Sequence, residues 1–510
     1  MNIKKRNTFL LFILVIALGF LIYFIANSDD ENMERENINL RWIMNGPGKQ
    51  IDSDRVWKKF NEMLQQYLPG IEVEFEIIQA LEYNDRIQLM NAVDEQMDIL
   101  WTGYTNSFLA DIENNLYMPL NELYEEYGKD MSEELESWVI DMGKKNNIIY
   151  AIPNYQIMAT SPIALKTPKK LADKYLDVEK LQSCYNNWEN DQNGRIEFYN
   201  ILTNYFQNIK DGGELGSGIG VGTVAMFCGN PNIDYSGINN FLIDTDTMKV
   251  YNNYETEDYK LWCKNINLWY KMGFVRPDAM TIEDISTDQG DKGYILWQHI
   301  YDANVEMQET KMRGYEVKVI PLGEKFYIKN GIPSTMTAIS SKCTYPEEAM
   351  QLINLINSQK GKELYNLLVY GIEGEHYEKI ANNRIRPFDY VVQGQPDSRY
   401  GLPKWAVGNT KNAYEVETSI ENLKEYMESV DENATVMPTV GFTPDLALYS
   451  EELAKLEAVY DKYVKTLNYG ISENWEVVYD EFIYNLKQAG TDKIKNEIQR
   501  QLDEWLKNNK

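Results

Sequence analysis

The order of strand and helix patterns between residues 38 and 101 constrains the fold more than any other feature. Ile38–Met44 reads as an apolar strand ending at Asn45-Gly46-Pro47-Gly48, a turn by composition. Asp52 and Ser53 offer helix caps, and Val56, Phe60, Met63, Leu64 and Tyr67 then recur on one helical face. Pro69-Gly70 stops that helix. Ile71, Val73, Phe75 and Ile77 alternate with Glu72, Glu74 and Glu76, the period of a strand with one buried face. A helix near 82–93 and a short strand Asp98–Trp101 follow. Strands separated by helices imply βαβ units, and therefore an α/β fold with a mainly parallel sheet. Ligands of such sheets sit beyond the carboxyl ends of the strands, here the loops after Met44 and Trp101.

The later chain repeats this logic less regularly. Tyr259, Trp262, Cys263, Ile266, Trp269 and Tyr270 form a helical stripe closed by Gly273. Gly293 to Trp297 reads as a short strand ending in an aromatic, and Glu347–Ser358 as a helix after Pro346. From about Gly408 the chain is mostly helical, with segments at 451–467, 475–487 and 492–507. A chain of 510 residues is long enough for several domains.

Lys4, Lys5 and Arg6 precede an uncharged apolar run, Phe9–Ala26, and Asp29, Asp30 and Glu31 follow it. At the rise of a helix that run spans roughly 27 Å, the depth of a bilayer core. The charges orient the remainder outside the membrane. Residues 1–28 therefore read as a secretory signal, with Ala26-Asn27-Ser28 as its cleavage site, or as an uncleaved anchor. Residues 29–37 read as a linker. The net charge of −28, from 78 acidic and 50 basic residues, disfavours nucleic acid as a partner. Cys184, Cys228, Cys263 and Cys343 allow three disulfide pairings or isolated thiols. His299 and His376 are the only two histidines, so His-rich metal centres and a Ser-His-Asp triad are disfavoured.

Motifs for catalysis are missing. The glycines from Gly212 to Gly222 lack the lysine and spacing of a phosphate loop. Residues 189–200 partly match a calcium loop, with Asp191, Asn193 and Glu197 as candidate ligands. The match fails at the last position, where Asn200 replaces the bidentate glutamate, and an Asn-Gly turn is the plainer reading. Asp244-Thr245-Asp246 reads as a hairpin turn. No cofactor is expected. The positive signal is the aromatic content, with 36 Tyr and 11 Trp, because aromatic faces stack on sugar rings.

Several segments, in this order along the chain, resemble family 1 extracellular solute-binding proteins of ABC importers. They are Asp98-Ile99-Leu100-Trp101 with Leu116–Leu120, Ile149–Gln156, and Gly331–Ser340 with Pro346–Ala349. Tyr370–Tyr377, Trp405–Asn409 and Gln501–Leu506 resemble the lipoprotein subfamily that ends in a domain of unknown function, DUF3502. The lipid-bearing cysteine of that subfamily has no counterpart near residues 20–35. The resemblance implies a two-lobed, type II periplasmic-binding-protein fold, each lobe a mainly parallel sheet flanked by helices, with a helical C-terminal part. By analogy lobe 1 is 38–154 plus 332–395, and lobe 2 is 155–331 plus 396–510. It also implies no catalysis, a monomer, capture of a neutral solute at the outer face of the membrane, and delivery to ABC permease subunits. An oligosaccharide is favoured as solute over a peptide. A membrane-tethered sensor or adhesion module and a secreted glycan-active enzyme are the alternatives. The expected ligand contacts are Asn45, Trp101, Thr102, Tyr104, Asn154, Tyr155, Gln156, Trp297, Trp405 and Asn409. His376 is expected to be structural.

Overall fold

The computed structural model describes residues 37–508 apart from 104–107, 160–162, 187, 189–191, 217, 219–232, 239, 282–296, 300–304, 323–324 and 332. The N-terminal run expected as signal or anchor, Tyr104, Asp191 and Cys228 lie outside the described residues.

The first core is built on a five-stranded sheet. Its elements are β1 (Ile38–Gly46), α1 (Ser53–Leu64), β2 (Ile71–Gln79), α2 (Ala80–Ala92), β3 (Ile99–Thr102) and β4 (Ala151–Pro153). The period-2 pattern of β2 works as read: Ile71, Val73, Phe75 and Ile77 are buried, while Glu72 and Glu74 are exposed. Under α1, Phe75 meets Phe60 edge-on at 5.1 Å and Trp42 at 5.8 Å. The opposite face packs on Tyr83, Ile87 and Met90 of α2. β2, β1 and β3 are parallel, with Met44 opposite Ile77 and Ile43 opposite Leu100.

The second core begins at β5 (Ile163–Pro168) and includes α3 (Gln192–Asp211), α4 (Glu257–Lys271), β6 (Trp297–His299), α5 (Val305–Arg313) and β7 (Val317–Leu322). β5 lies between β6 and β7 and is antiparallel to both, where a parallel sheet was expected. β6 and β7 run the same way and are joined through α5, so the βαβ unit straddles β5. Lys166 of β5 and Arg313 both hold Glu309, a buried charged cluster that pins α5 to the sheet. β8 (Met336–Ile339) then returns to the first sheet as its antiparallel strand between β3 and β4. α6 (Pro346–Asn357) and α7 (Lys362–Tyr370) cover the face shared with α1. α8 (Leu423–Asn433) leads into α9 (Ser450–Asn468), α10 (Trp475–Ala489) and α11 (Thr491–Asn508). These last three pack on α4 in the second core through Tyr460, Tyr463, Phe482, Leu486 and Ile498. Asn252 reaches into them, donating to Tyr460 Oη at 3.1 Å and Thr491 Oγ1 at 3.2 Å.

Three expectations change. Tyr400, Leu402, Val407 and Tyr414 belong to the first core, although residues 396–510 were expected in the second lobe. Long-range pins explain this: Gln50 bonds Gln395 and Gly401, and Arg399 clasps Asp52. Asn193-Gly194 is the start of α3, not a turn, and Gly194 is buried. Glu197 is ion-paired with Lys180 and residues 192–200 are helical, so among the described residues the calcium-loop reading has no loop. Asp244 does turn a hairpin, accepting from the amides of Asp246 and Thr247. Cys263 and Cys343 are free thiols, and burial pushes Cys263 up to about 12. Among the described residues no helix is long and apolar enough to cross a membrane.

Candidate functional site

The site is built where the chain passes between the two cores. Met336 pairs with both Thr102 and Pro153, so the chain leaves and re-enters the first sheet at one edge. That edge also carries the carboxyl ends of β1 and β3. In the second sheet Ile163 opposes Leu322, so the start of β5 and the end of β7 lie together near the crossing. The two edges flank the crossing segments.

On the first-lobe side the edge is lined by Asn45, Gly46, Gly103, Ser334, Gln156 and Trp405. Asn45, Gln156 and Ser334 are half-buried, and Gln156 Nε2 donates to Ser334 Oγ at 3.1 Å. Trp405 is 45% exposed. Its carbonyl is fixed by Thr335 Oγ1 at 2.8 Å, which leaves the indole accessible at the crossing. Gly103 is needed for close approach: a Cβ there would sit 2.1 Å from the Ser334 carbonyl oxygen.

Behind this edge sits a buried node centred on Asn154. Its Nδ2 donates to the Ala406 carbonyl at 2.9 Å, and its Oδ1 accepts from Thr337 Oγ1 at 2.8 Å and the Gly408 amide at 3.1 Å. Asn409 is fully buried, donating to the Asn357 carbonyl at 3.1 Å and accepting from the Lys411 amide at 2.9 Å. Gly408 has φ +59 and a Cβ there would lie 2.6 Å from Ile356 Cγ2, so glycine is required for this docking. Tyr155 is buried, donates to Asp431, and carries Lys411 Nζ 4.7 Å above its ring. The contacts expected at Asn154, Tyr155 and Asn409 are therefore corrected: their polar groups are spent inside the protein. Trp101 and Thr102 are also buried, Trp101 edge-on to Tyr83 at 5.6 Å. The expected strand Gly293–Trp297 lies outside the described residues except for Trp297, which opposes Lys166 in β6; His299, opposite Ala164, lies nearer the crossing. Of the expected contacts among the described residues, Asn45 and Gln156 are half-buried and Trp405 is exposed, so their side chains are not enclosed by the protein.

A second node ties the far side of the crossings. Asp234 is buried and accepts from the Tyr235 amide at 2.8 Å, the Asn330 amide at 2.7 Å and the Thr439 hydroxyl. Asn330 Nδ2 donates to the carbonyls of Tyr235 and Phe442, and its Oδ1 accepts from the Gly441 amide at 3.0 Å. Burial pushes the Asp234 carboxyl above the usual carboxylate range. Asp431 of α8 accepts from the Ala159 amide at 2.9 Å as well as from Tyr155, and burial raises it too. Ala159, Ile328 and Val430 make a small core from all three crossings. Sequence reasoning missed Ser334, Asp234 and Asp431. For Asp431 a signal existed, since it shares the buried helical stripe of Leu423, Met427 and Val430. His376 is buried. The Ile372 amide donates to its Nδ1 at 2.9 Å, leaving Nε2 toward Asp52 at 3.3 Å, a structural use.

Two α/β cores joined by three crossings define the class of fold: the chain has the type II periplasmic-binding-protein fold, as solved solute-binding proteins do. Residues 438–507 match the family model "Domain of unknown function (DUF3502)". A "Carbohydrate ABC transporter substrate-binding protein" of Streptococcus pneumoniae serotype 4 is 25% identical over 470 residues, covering 90% of this chain and 89% of that relative. The crystal structure of the N-glycan transport solute binding protein (NgtS) from Streptococcus pneumoniae superposes with TM-score 0.77 at 22% identity. It covers 93% of this chain and 100% of that one. Streptococcus pneumoniae FusA in complex with kestose gives TM-score 0.56 at 12% identity, with coverage of 92% and 100%.

Proposed function

We propose that this protein is the extracellular substrate-binding component of a carbohydrate ABC importer. It captures a neutral oligosaccharide in the interlobe cleft and hands it to permease subunits in the membrane, without chemical conversion. The observation that carries this reading is the full-length match of both lobes and the C-terminal region to a carbohydrate substrate-binding protein. The cleft edge supports it: an accessible indole beside half-buried amide and hydroxyl groups is a surface for stacking a sugar ring and bonding its hydroxyls. Solved relatives extend the reading to oligosaccharides, since NgtS was crystallised with Man5GlcNAc. Residues 1–28 hold the protein at the outer face or direct its export. The lobes we propose are 38–155 with 336–416, and 163–322 with 442–508.

A thermal-shift screen of residues 30–510 against neutral oligosaccharides and peptides tests the proposal. A ligand of the folded state at about 100 times its Kd adds about 2.7 kcal/mol of stability. A rise in Tm with one sugar class, the sugar recovered intact, is the expected result. A response to peptides alone, or product release from the sugar, overturns it.

A further inference from the structure

β2 is the outermost strand of the first sheet, paired with β1 on one side only. Its outer edge is guarded over half its length. Asn61 holds both main-chain groups of Val73, donating Nδ2 to its carbonyl at 2.9 Å and accepting its amide at 2.9 Å. Gln65 Nε2 caps the Ile71 carbonyl at 2.7 Å. Those bonds fix the phase of the strand: odd-numbered residues turn their amides and carbonyls outward. The next outward pairs belong to Phe75 and Ile77, and among the described residues nothing bonds them. Exposed strand edges are normally blocked, because they template pairing with another chain.

Beside this unguarded stretch α1 leaves a groove of about 630 Å³, lined by Trp57, Lys58, Asn61, Val73, Phe75 and Ile77 among others. Trp57 sits one turn before Asn61, so the indole borders the groove where the side-chain guard ends. Asp54, Glu72, Glu74 and Glu76 face it against Lys49 and Lys58. Lys49 is neutralised by Asp54 at 2.8 Å and Glu76 by Arg41 at 2.5 Å. Glu72 and Glu74 are exposed and have no ion pair among the described residues. The groove therefore offers two free backbone pairs, an aromatic wall and a net negative rim.

We propose that the outer edge of β2 binds an extended, basic peptide segment of a partner protein, adding it to the sheet as a further strand. The segment's main chain pairs with Phe75 and Ile77. Its alternate side chains fall into the groove against Trp57 on one face, and lie beside Glu72 and Glu74 on the other. This surface is separate from the interlobe cleft, so the proposal stands whether or not a sugar binds there.

The probe is acetyl-Lys-Val-Lys-Val-Lys-Val-amide titrated onto the full exported chain at low salt. Its readouts are tryptophan fluorescence and residue-resolved amide hydrogen exchange. The expected result is saturable binding, slowed exchange at the Phe75 and Ile77 amides, and a fluorescence change lost in Trp57→Phe. N-methylating alternate amides of the peptide should weaken binding by about tenfold or more, as should the double variant Glu72→Lys, Glu74→Lys. An unchanged Tm of that variant shows it folds. No binding, unchanged exchange at Phe75 and Ile77, or equal binding of the N-methylated peptide overturns the proposal; the last outcome marks simple charge attraction.

Discussion

The two buried nodes that tie the crossing segments do the same mechanical job with different chemistry. The node on the first lobe is neutral: Asn154 both donates and accepts, matching one carbonyl, one amide and one hydroxyl. The node on the second lobe centres on a carboxylate: Asp234 meets three donors and needs an acceptor at every position. A neutral amide satisfies a mixed set of partners at no charging cost. A buried carboxylate makes stronger individual bonds but carries a desolvation penalty that varies with pH. The difference teaches where pH reaches the hinge: through the second lobe's node and through Asp431, not through Asn154.

The largest effect should come from breaking the neutral node. Asn154→Ala removes three side-chain bonds and strands the Ala406 carbonyl and the Gly408 amide. A loss of about 3 kcal/mol is expected in urea denaturation. It should be equal at pH 7 and pH 4.5, because nothing in the node titrates.

The carboxylate node should answer differently. Asp234→Asn keeps the shape but turns an amide toward donors, costing about 2 kcal/mol at pH 7. The folded carboxyl titrates above its ordinary value of 3.8. Between that value and the raised one the folded state holds a proton that the unfolded state releases. Wild-type stability from this group therefore rises as pH falls through the raised value and levels off below 3.8. The variant lacks that gain, so its deficit should widen toward pH 4.5. A deficit that narrows would contradict the assignment.

Tyr155→Phe sharpens the comparison at the third tie. It removes the hydroxyl from Asp431 but leaves the amides of Met158 and Ala159 on that carboxylate. About 1 kcal/mol should be lost in the same denaturation series. Trp405→Ala should change stability least, by under about 0.5 kcal/mol, because the indole is exposed. Its effect belongs to ligand binding, where calorimetry with a bound oligosaccharide should show about tenfold weaker affinity. A similar affinity loss in Asn154→Ala would mean the node acts by placing the segment that carries Trp405.

Much of the first lobe is legible along the chain. The β1-α1-β2-α2-β3 order follows from local periodicity, because each element buries one face and the period names the element. The edge at which ligands approach follows from that order as well. The second lobe is less legible. Its described strands are short, and the strand between β6 and β7 comes from more than a hundred residues earlier, which no local pattern reveals.

Candidate ligand contacts divide along the same line. Asn45 and Gln156 were expected as contacts because they adjoin a strand end and the first crossing, and Trp405 through the resemblance alone; all three keep exposed surface. Asn154, Tyr155 and Asn409 adjoin the same crossing yet face inward. Their partners arrive from Thr337, Ala406, Asp431 and Asn357, up to 276 positions away along the chain. The sequence by itself determined the alternation of elements, the class of fold through the order of its motifs, and the acidic character of the surface. Only the tertiary structure decided which polar groups remain free for a ligand. A buried donor or acceptor must be paired, and the partner is chosen by packing between distant segments, not by spacing along the chain.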